Sequence, residues 1–170
     1  MSKWFEISPE QIETNAFSMI GKDWMLIAAE KEGKTNAMTA SWGGIGVLWN
    51  KPVSFCFIRP QRYTKEFIDA SERFSLTFFT EEYRKTLSYF GRVSGRDEDK
   101  IEKAGLSVEH AEGAPYFREG NLVLLCKKLY VDTIKPEGIL SPEIVQEMYP
   151  GADFHSVYIG EIVKAFMKAE

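Results

Sequence analysis

Two apolar segments joined by one tight turn set the main constraint on this chain. Trp24 to Glu30 reads as a continuous buried strand, Glu32-Gly33-Lys34 supplies a turn, and Thr35 to Trp42 returns as the second arm of a hairpin. Such a pair is antiparallel. A doubly wound parallel sheet needs a helix of useful length in every crossover, and none fits here. The returning arm, Asn36-Ala37-Met38-Thr39-Ala40-Ser41-Trp42, carries small or hydroxylated side chains where a core strand would carry Val, Ile or Leu. Alternation puts Ala37, Thr39 and Ser41 on one face and Met38, Ala40 and Trp42 on the other. Small residues leave the backbone amides approachable. That suits either a flat polar ligand along the strand edge or a bulky neighbour packed against it.

The remaining segments support an antiparallel reading. Ser8-Pro9-Glu10 followed by Ile12, Ala16, Phe17 and Ile20 predicts an N-terminal helix ending at Gly21. Strands are expected over 53–58, 74–79, 121–134 and 155–168, with Gly160 as a bulge or bend in the last. Short helices are expected from Thr64, near Arg84 to Phe90, from about Asp97 with Asp97 as cap to Gly105, and from Ser141-Pro142-Glu143. Residues 106–120 read as irregular. About six strands interleaved with short helices predict a mainly β, antiparallel barrel with short peripheral helices, as a single domain over residues 1–170.

Composition excludes several function classes. A net charge of −4 without a basic run argues against nucleic acid as a partner. No stretch approaches the roughly 18 apolar residues that a membrane span requires. The amino terminus shows no signal-peptide pattern, so the expected location is cytoplasmic. Cys56 and Cys126 each sit in an apolar strand pattern and read as buried reduced thiols. With only His110 and His155 and no paired cysteines, no metal site is expected. Gly33-Lys34-Thr35 lacks the first glycine of a phosphate-binding loop, because Ala28 stands in its place. Gly43-Gly44-Ile45-Gly46 runs into Val47-Leu48-Trp49-Asn50-Lys51-Pro52, which cannot open the helix that dinucleotide binding demands.

One constellation carries anion chemistry. In Arg59-Pro60-Gln61-Arg62-Tyr63-Thr64 two guanidinium groups flank a helix start with Thr64 as its expected N-cap. Unpaired amides and the helix dipole favour an anion there, and arginine matches phosphate oxygens geometrically. The alternative is two solvated arginines beside an ordinary cap. A second basic cluster, Phe90 to Lys100, is either a turn with a charged helix face or another wall of an anion site. His155 opens the final strand as a ligand-contacting or a structural histidine.

In this order and spacing, these segments resemble the flavin reductase-like family of FMN-binding split barrels, flavoredoxins included. The matching residues are Asn36 to Trp42, Pro52-Val53, Arg59 with Tyr63-Thr64, Ser94-Gly95-Arg96-Asp97 with Lys100, and His155 before Tyr158-Ile159-Gly160-Glu161-Ile162. The resemblance implies a homodimer of antiparallel split β-barrels of Greek-key type, each chain binding FMN (FAD in some members) and moving electrons from NAD(P)H to flavin or another acceptor. It equally admits a flavoredoxin-type carrier fed by a redox protein. Carried over by position, Asn36, Met38, Thr39, Ala40, Ser41 and Trp42 would lie along the isoalloxazine, with Ser41 tuning flavin N5. Arg59, Tyr63 and Thr64 would hold the ribityl phosphate, and Arg62, Ser94 and Lys100, from the same two basic clusters, are further candidates for binding the cofactor. Family members that reduce free flavin carry Gly-Asp-His before the last strand. Gly151-Ala152-Asp153-Phe154-His155 departs from that pattern by an insertion between acid and histidine, which leaves the catalytic role of His155 open.

Overall fold

A computed structural model of the chain describes residues 3–169. Its main sheet is antiparallel, with hydrogen-bonded order β3-β2-β6-β9-β10-β5-β4 and β1 added on β10. The strands are β1 (Trp4–Ile7), β2 (Met25–Lys31), β3 (Lys34–Ala40), β4 (Gly43–Leu48), β5 (Lys51–Ile58), β6 (Arg73–Phe78), β9 (Leu122–Thr133) and β10 (Ser156–Lys168). A separate hairpin is made by β7 (Val108–Ala111) and β8 (Ala114–Phe117).

The connectivity explains why the sheet rolls up. β3 and β4 are the two ends of the hydrogen-bonded order, yet only Ser41 and Trp42 separate them in the chain. The sheet must curl until its edges meet, and because β3 and β4 do not pair, the barrel stays split at that seam. The expected split barrel is what forms.

β2 is buried on both faces, which is why it reads as an unbroken apolar run. Met25, Ile27 and Ala29 join Met38 and Ala40 of β3 in the barrel core, with Cys56, Ile58, Phe74, Leu124 and Tyr158. Leu26, Ala28 and Ala37 face outward into a second cluster with Leu87, Phe90 and Phe117. The alternation expected along 37–40 is therefore present. The small outward residues make room for helix α3 (Arg84–Arg92). Helix α2 (Thr64–Ala70) drops Phe67 and Ile68 into the core. Two further helices are α4 (Lys100–Ala104) and α5 (Pro142–Met148).

Several expectations need correction. The single N-terminal helix is broken into a 3-10 turn at Pro9–Gln11, extended chain at Ile12, and a short helix α1 (Ala16–Ser18) running into a wide turn over Met19–Asp23. Asn15 explains the restart: its side chain accepts from the amides of Phe17 and Ser18 at 3.0 and 3.2 Å. Residues 106–120 contain the β7–β8 hairpin rather than irregular chain, and Gly43–Leu48 forms a strand that its glycines concealed. Thr64 is the first residue of α2, whose N-cap is Tyr63. The cap of α4 is Asp99, accepting from the Glu102 amide at 3.1 Å, rather than Asp97. The bulge expected at Gly160 is present as a register shift against β9 between Ile159 and Gly160. Cys56 and Cys126 are free and fully buried, and burial drives both thiols upward, Cys126 to about 12. No helix among the described residues is long and apolar enough to cross a membrane.

Candidate functional site

Two adjoining chambers lie along β3 and the two residues that follow it. The first, about 220 Å³, is lined by Met38, Thr39, Ala40, Ser41 and Trp42, with Phe57, Arg59, Arg62 and His155. The second, about 170 Å³, is lined by Asn36, Gln61, Arg62, Tyr63, Thr64, Arg92, Val93, Ser94, Gly95 and Lys100. Arg62 borders both. β3 connects them along its length, and as an edge strand it has sheet partners on one side only. From Asn36 to Ser41 this edge spans roughly 17 Å, at about 3.4 Å per residue. Two larger hollows, of about 640 and 650 Å³, lie around Phe79, Thr80 and Asn121. Their charged walls mix both signs, and they include none of the residues that the sequence singled out.

Cations without carboxylates mark the second chamber. Arg62 is half-buried, and its two terminal nitrogens donate to the carbonyls of Gly91 and Phe90 at 3.0 and 3.2 Å. Lys100 is 3% exposed and donates from Nζ to the same Phe90 carbonyl at 3.2 Å. Neither pairs with an acid among the described residues. The C-terminal carbonyls of α3 thus gather two cations that lie far apart in sequence. Burial, and then the neighbouring Arg62 charge, push the Lys100 ammonium down to about 8. Burial lowers Arg62 as well. Buried cations are costly unless they are hydrogen-bonded and paired; here the Gly91 and Phe90 carbonyls supply hydrogen bonds, and no carboxylate of the described residues supplies a counter-charge.

The chamber's neutral walls are tightly fitted. Asn36 Nδ2 donates to Thr64 Oγ1 at 2.8 Å, and both residues are buried. A Cβ on Gly95 would fall 2.1 Å from Asn36 Oδ1 and 3.1 Å from Tyr63 Cδ2, so only glycine fits. Ser94 Oγ accepts from the Arg96 amide at 3.1 Å. Tyr63 lies 4.6 Å beneath the Arg96 guanidinium, which also pairs with Glu66 at 3.0 Å.

The first chamber is more aromatic. Met38 and Ala40 turn their side chains into the core, so β3 meets this chamber along its backbone edge. The Thr39 hydroxyl donates to the Leu87 carbonyl of α3. Ser41 makes no side-chain hydrogen bond to any described residue and lines the wall with Trp42, which is 48% exposed. His155 is buried, 5.4 Å from the Trp42 ring, with Nδ1 2.6 Å from the Tyr149 hydroxyl. Burial, and then Arg59, lower the imidazole against a smaller opposing effect of Asp153.

Arg59 lines the first chamber and not the second. It bridges to Asp153 at 3.0 Å, donates to the Met148 carbonyl at 2.9 Å and lies over the Tyr149 ring. The remaining sequence-marked residues of the anion end, Arg62, Tyr63, Thr64, Ser94 and Lys100, do meet in the second chamber. Sequence reasoning did not single out Phe57, Gln61, Arg92 or Tyr149. Arg92 belonged to a basic cluster already visible, whereas Tyr149 gave no local signal. Among the described residues no group of His, Cys, Asp and Glu could hold a metal ion.

Comparison with known proteins agrees with this architecture. Residues 17–170 match the family model described as flavin reductase like domain. The flavoredoxin of Methanosarcina acetivorans is 26% identical and superposes with a TM-score of 0.67, covering 85% of this chain and 68% of that one. An FMN-binding domain of a flavin reductase-like enzyme from Shewanella baltica gives a TM-score of 0.71 at 18% identity, covering 98% and 78%. An NADH:FAD oxidoreductase of Streptomyces globisporus, seen with NAD and FAD fragments, gives 0.64 at 14% identity, covering 86% and 77%. The last two share the fold. No curated protein matches the chain at a significant level. With a family model spanning nearly all of a chain that folds as a barrel split at β3 and β4, this protein belongs to the flavin reductase-like family.

Proposed function

We propose that the two chambers together hold one flavin mononucleotide and that the protein is an FMN-dependent oxidoreductase accepting electrons from NAD(P)H. The observation that carries this reading is the Lys100–Arg62 pair, a buried and a half-buried cation without a carboxylate beside the free edge of β3. The residues fit the group. Lys100 and Arg62 would take phosphate oxygens, with Ser94 and the cradle left open by Gly95 around them. The β3 edge from Asn36 to Ser41 would run along the remainder of the molecule toward Trp42 and His155. Arg59 then belongs to the ring end rather than to the phosphate. When bound, the flavin supplies two-electron chemistry between a nicotinamide donor and an acceptor. This chain's part is to neutralise the phosphate, orient the ring along β3 and cover it with Trp42 and His155. FAD in place of FMN would have to carry its second phosphate and adenosine out past Arg96 and Tyr63.

Stopped-flow mixing of the FMN-loaded protein with NADH and with NADPH tests this directly. Bleaching of the flavin absorbance by either nucleotide is expected. A second reading, a flavoredoxin-type carrier, is favoured by the half-exposed Trp42 at the chamber mouth and by the flavoredoxin similarity. On that reading neither nucleotide bleaches the flavin, whereas a low-potential protein donor does. The same reading places the protein in the reducing cytoplasm, consistent with its free cysteines. It also makes the protein a homodimer, for which the exposed Val47 of β4 and Trp49 of the turn after it offer an apolar surface.

A further inference from the structure

The family's acid-to-histidine spacing is interrupted here, and the structure shows what replaced it. Asp153 does not contact the imidazole. It bridges to Arg59 at 3.0 Å and accepts from Gln61 Nε2 at 2.8 Å. The histidine's partner is Tyr149, six residues upstream, whose hydroxyl lies 2.6 Å from Nδ1. Tyr149 is 7% exposed and its ring is held between neighbours, with Arg59 at 5.1 Å and Phe154 at 4.6 Å.

Hydrogen-bond capacity decides the direction of that contact. A tyrosine hydroxyl has one proton to donate, and a neutral imidazole has one donor and one acceptor nitrogen. If Nδ1 carried the proton, it would donate to the tyrosine oxygen, and the phenolic proton would need another acceptor. None exists among the described residues. If Tyr149 donates to Nδ1, both groups are satisfied and the ring proton sits on Nε2. Nε2 makes no hydrogen bond to any described residue, and His155 lines the first chamber. A carboxylate at Nδ1 would favour the imidazolium, whereas a phenol beside the Arg59 charge favours the neutral ring.

We propose that Tyr149 is a positioning residue that fixes the His155 tautomer, so that the ring presents a neutral Nε2–H donor to the first chamber. Its complement is a carbonyl acceptor on the ligand. On the flavin reading, on which this second step rests, that is a pyrimidine carbonyl of the flavin or the carboxamide oxygen of a nicotinamide.

Two-bond nitrogen–proton correlation spectra of protein labelled with ¹⁵N-histidine read the tautomer directly. With two histidines, His110→Gln assigns the signals. At pH 7.5 the native protein is expected to show His155 with a bare Nδ1 and a protonated Nε2. Tyr149→Phe, which keeps the ring between Arg59 and Phe154, is expected to give a mixture of tautomers. A protonated Nδ1 in the native protein overturns the proposal, as does a Tyr149→Phe spectrum unchanged from native. The native spectrum decides the tautomer even if the variant misfolds. FMN is then added alone, followed by NAD⁺, with flavin fluorescence reporting binding independently. A shift of the Nε2 signal with FMN assigns the acceptor to the flavin, and a shift only with NAD⁺ assigns it to the carboxamide. Bound FMN and NAD⁺ with no shift overturn the donor role. FMN that stays free overturns the flavin reading and leaves the tautomer assignment standing.

Discussion

Lys100 is the residue on which the site's electrostatics turn. Its ammonium is buried, and the folded value of about 8 lies well below the ordinary 10.5, so folding disfavours its charge. Between those values the unfolded chain holds the proton that the folded chain has lost. Stability of the flavin-free protein therefore rises as pH climbs through that window, and urea melts at pH 7 and 9.5 should show it. Flavin affinity runs the other way. The FMN phosphate gains its second charge around pH 6, and Lys100 loses its charge around 8. Affinity should be greatest between these limits and decline on the alkaline side. Lys100→Met should weaken FMN binding about 10–100-fold, the equivalent of one charge-assisted hydrogen bond of about 1.5–3 kcal/mol, and should flatten the alkaline limb. Fluorescence-quenching titrations across pH read both effects.

At the scale of elements, two glycines mark where the design has no slack. Gly95→Ala would press a methyl group onto the Asn36 side chain that is bonded to Thr64, loosening the loop against β3 and α2. Lost flavin affinity with a modest drop in melting temperature is expected. Gly160→Ala meets Phe74 Cζ at 2.6 Å and Cys126 Cβ at 3.1 Å inside the barrel, so its cost falls on stability instead, at about 1–3 kcal/mol by chemical denaturation. The elements differ in how well the sequence revealed them. The β2–β3 hairpin was legible because a tight turn and an unbroken apolar run leave one solution. Neither the broken N-terminal segment nor the β7–β8 hairpin was legible. Asn15 overrides a helical apolar spacing with its own cap, and Pro115 hides a strand in which all four residues are buried. The anion end of the site was visible as two basic clusters. Their meeting was not, because it depends on where α3 ends and which carbonyls it leaves open. Tyr149 was invisible for the same reason, since its partner is set by the path from α5 into β10.

For the whole molecule, the ordering principle is the seam. A sheet whose first and last strands are joined by two residues must close on itself, and leaving β3 and β4 unpaired gives an open backbone edge at that corner. The same geometry leaves β4 as an edge strand, with its Val47 78% exposed and Trp49 of the turn after it 56% exposed. Light scattering should give roughly twice the 19.4 kDa chain mass, and Trp49→Asp should shift the protein toward the monomer. The account's central claim is that the second chamber holds a flavin's phosphate. Calorimetric titration with FMN and with riboflavin, identical apart from that group, tests it most directly. The account predicts FMN binding at least about 10–100-fold tighter than riboflavin, with the difference reduced in Lys100→Met by the contribution of one charge-assisted hydrogen bond. Equal affinity for the two, or an FMN preference that the loss of Lys100 leaves undiminished, would contradict it.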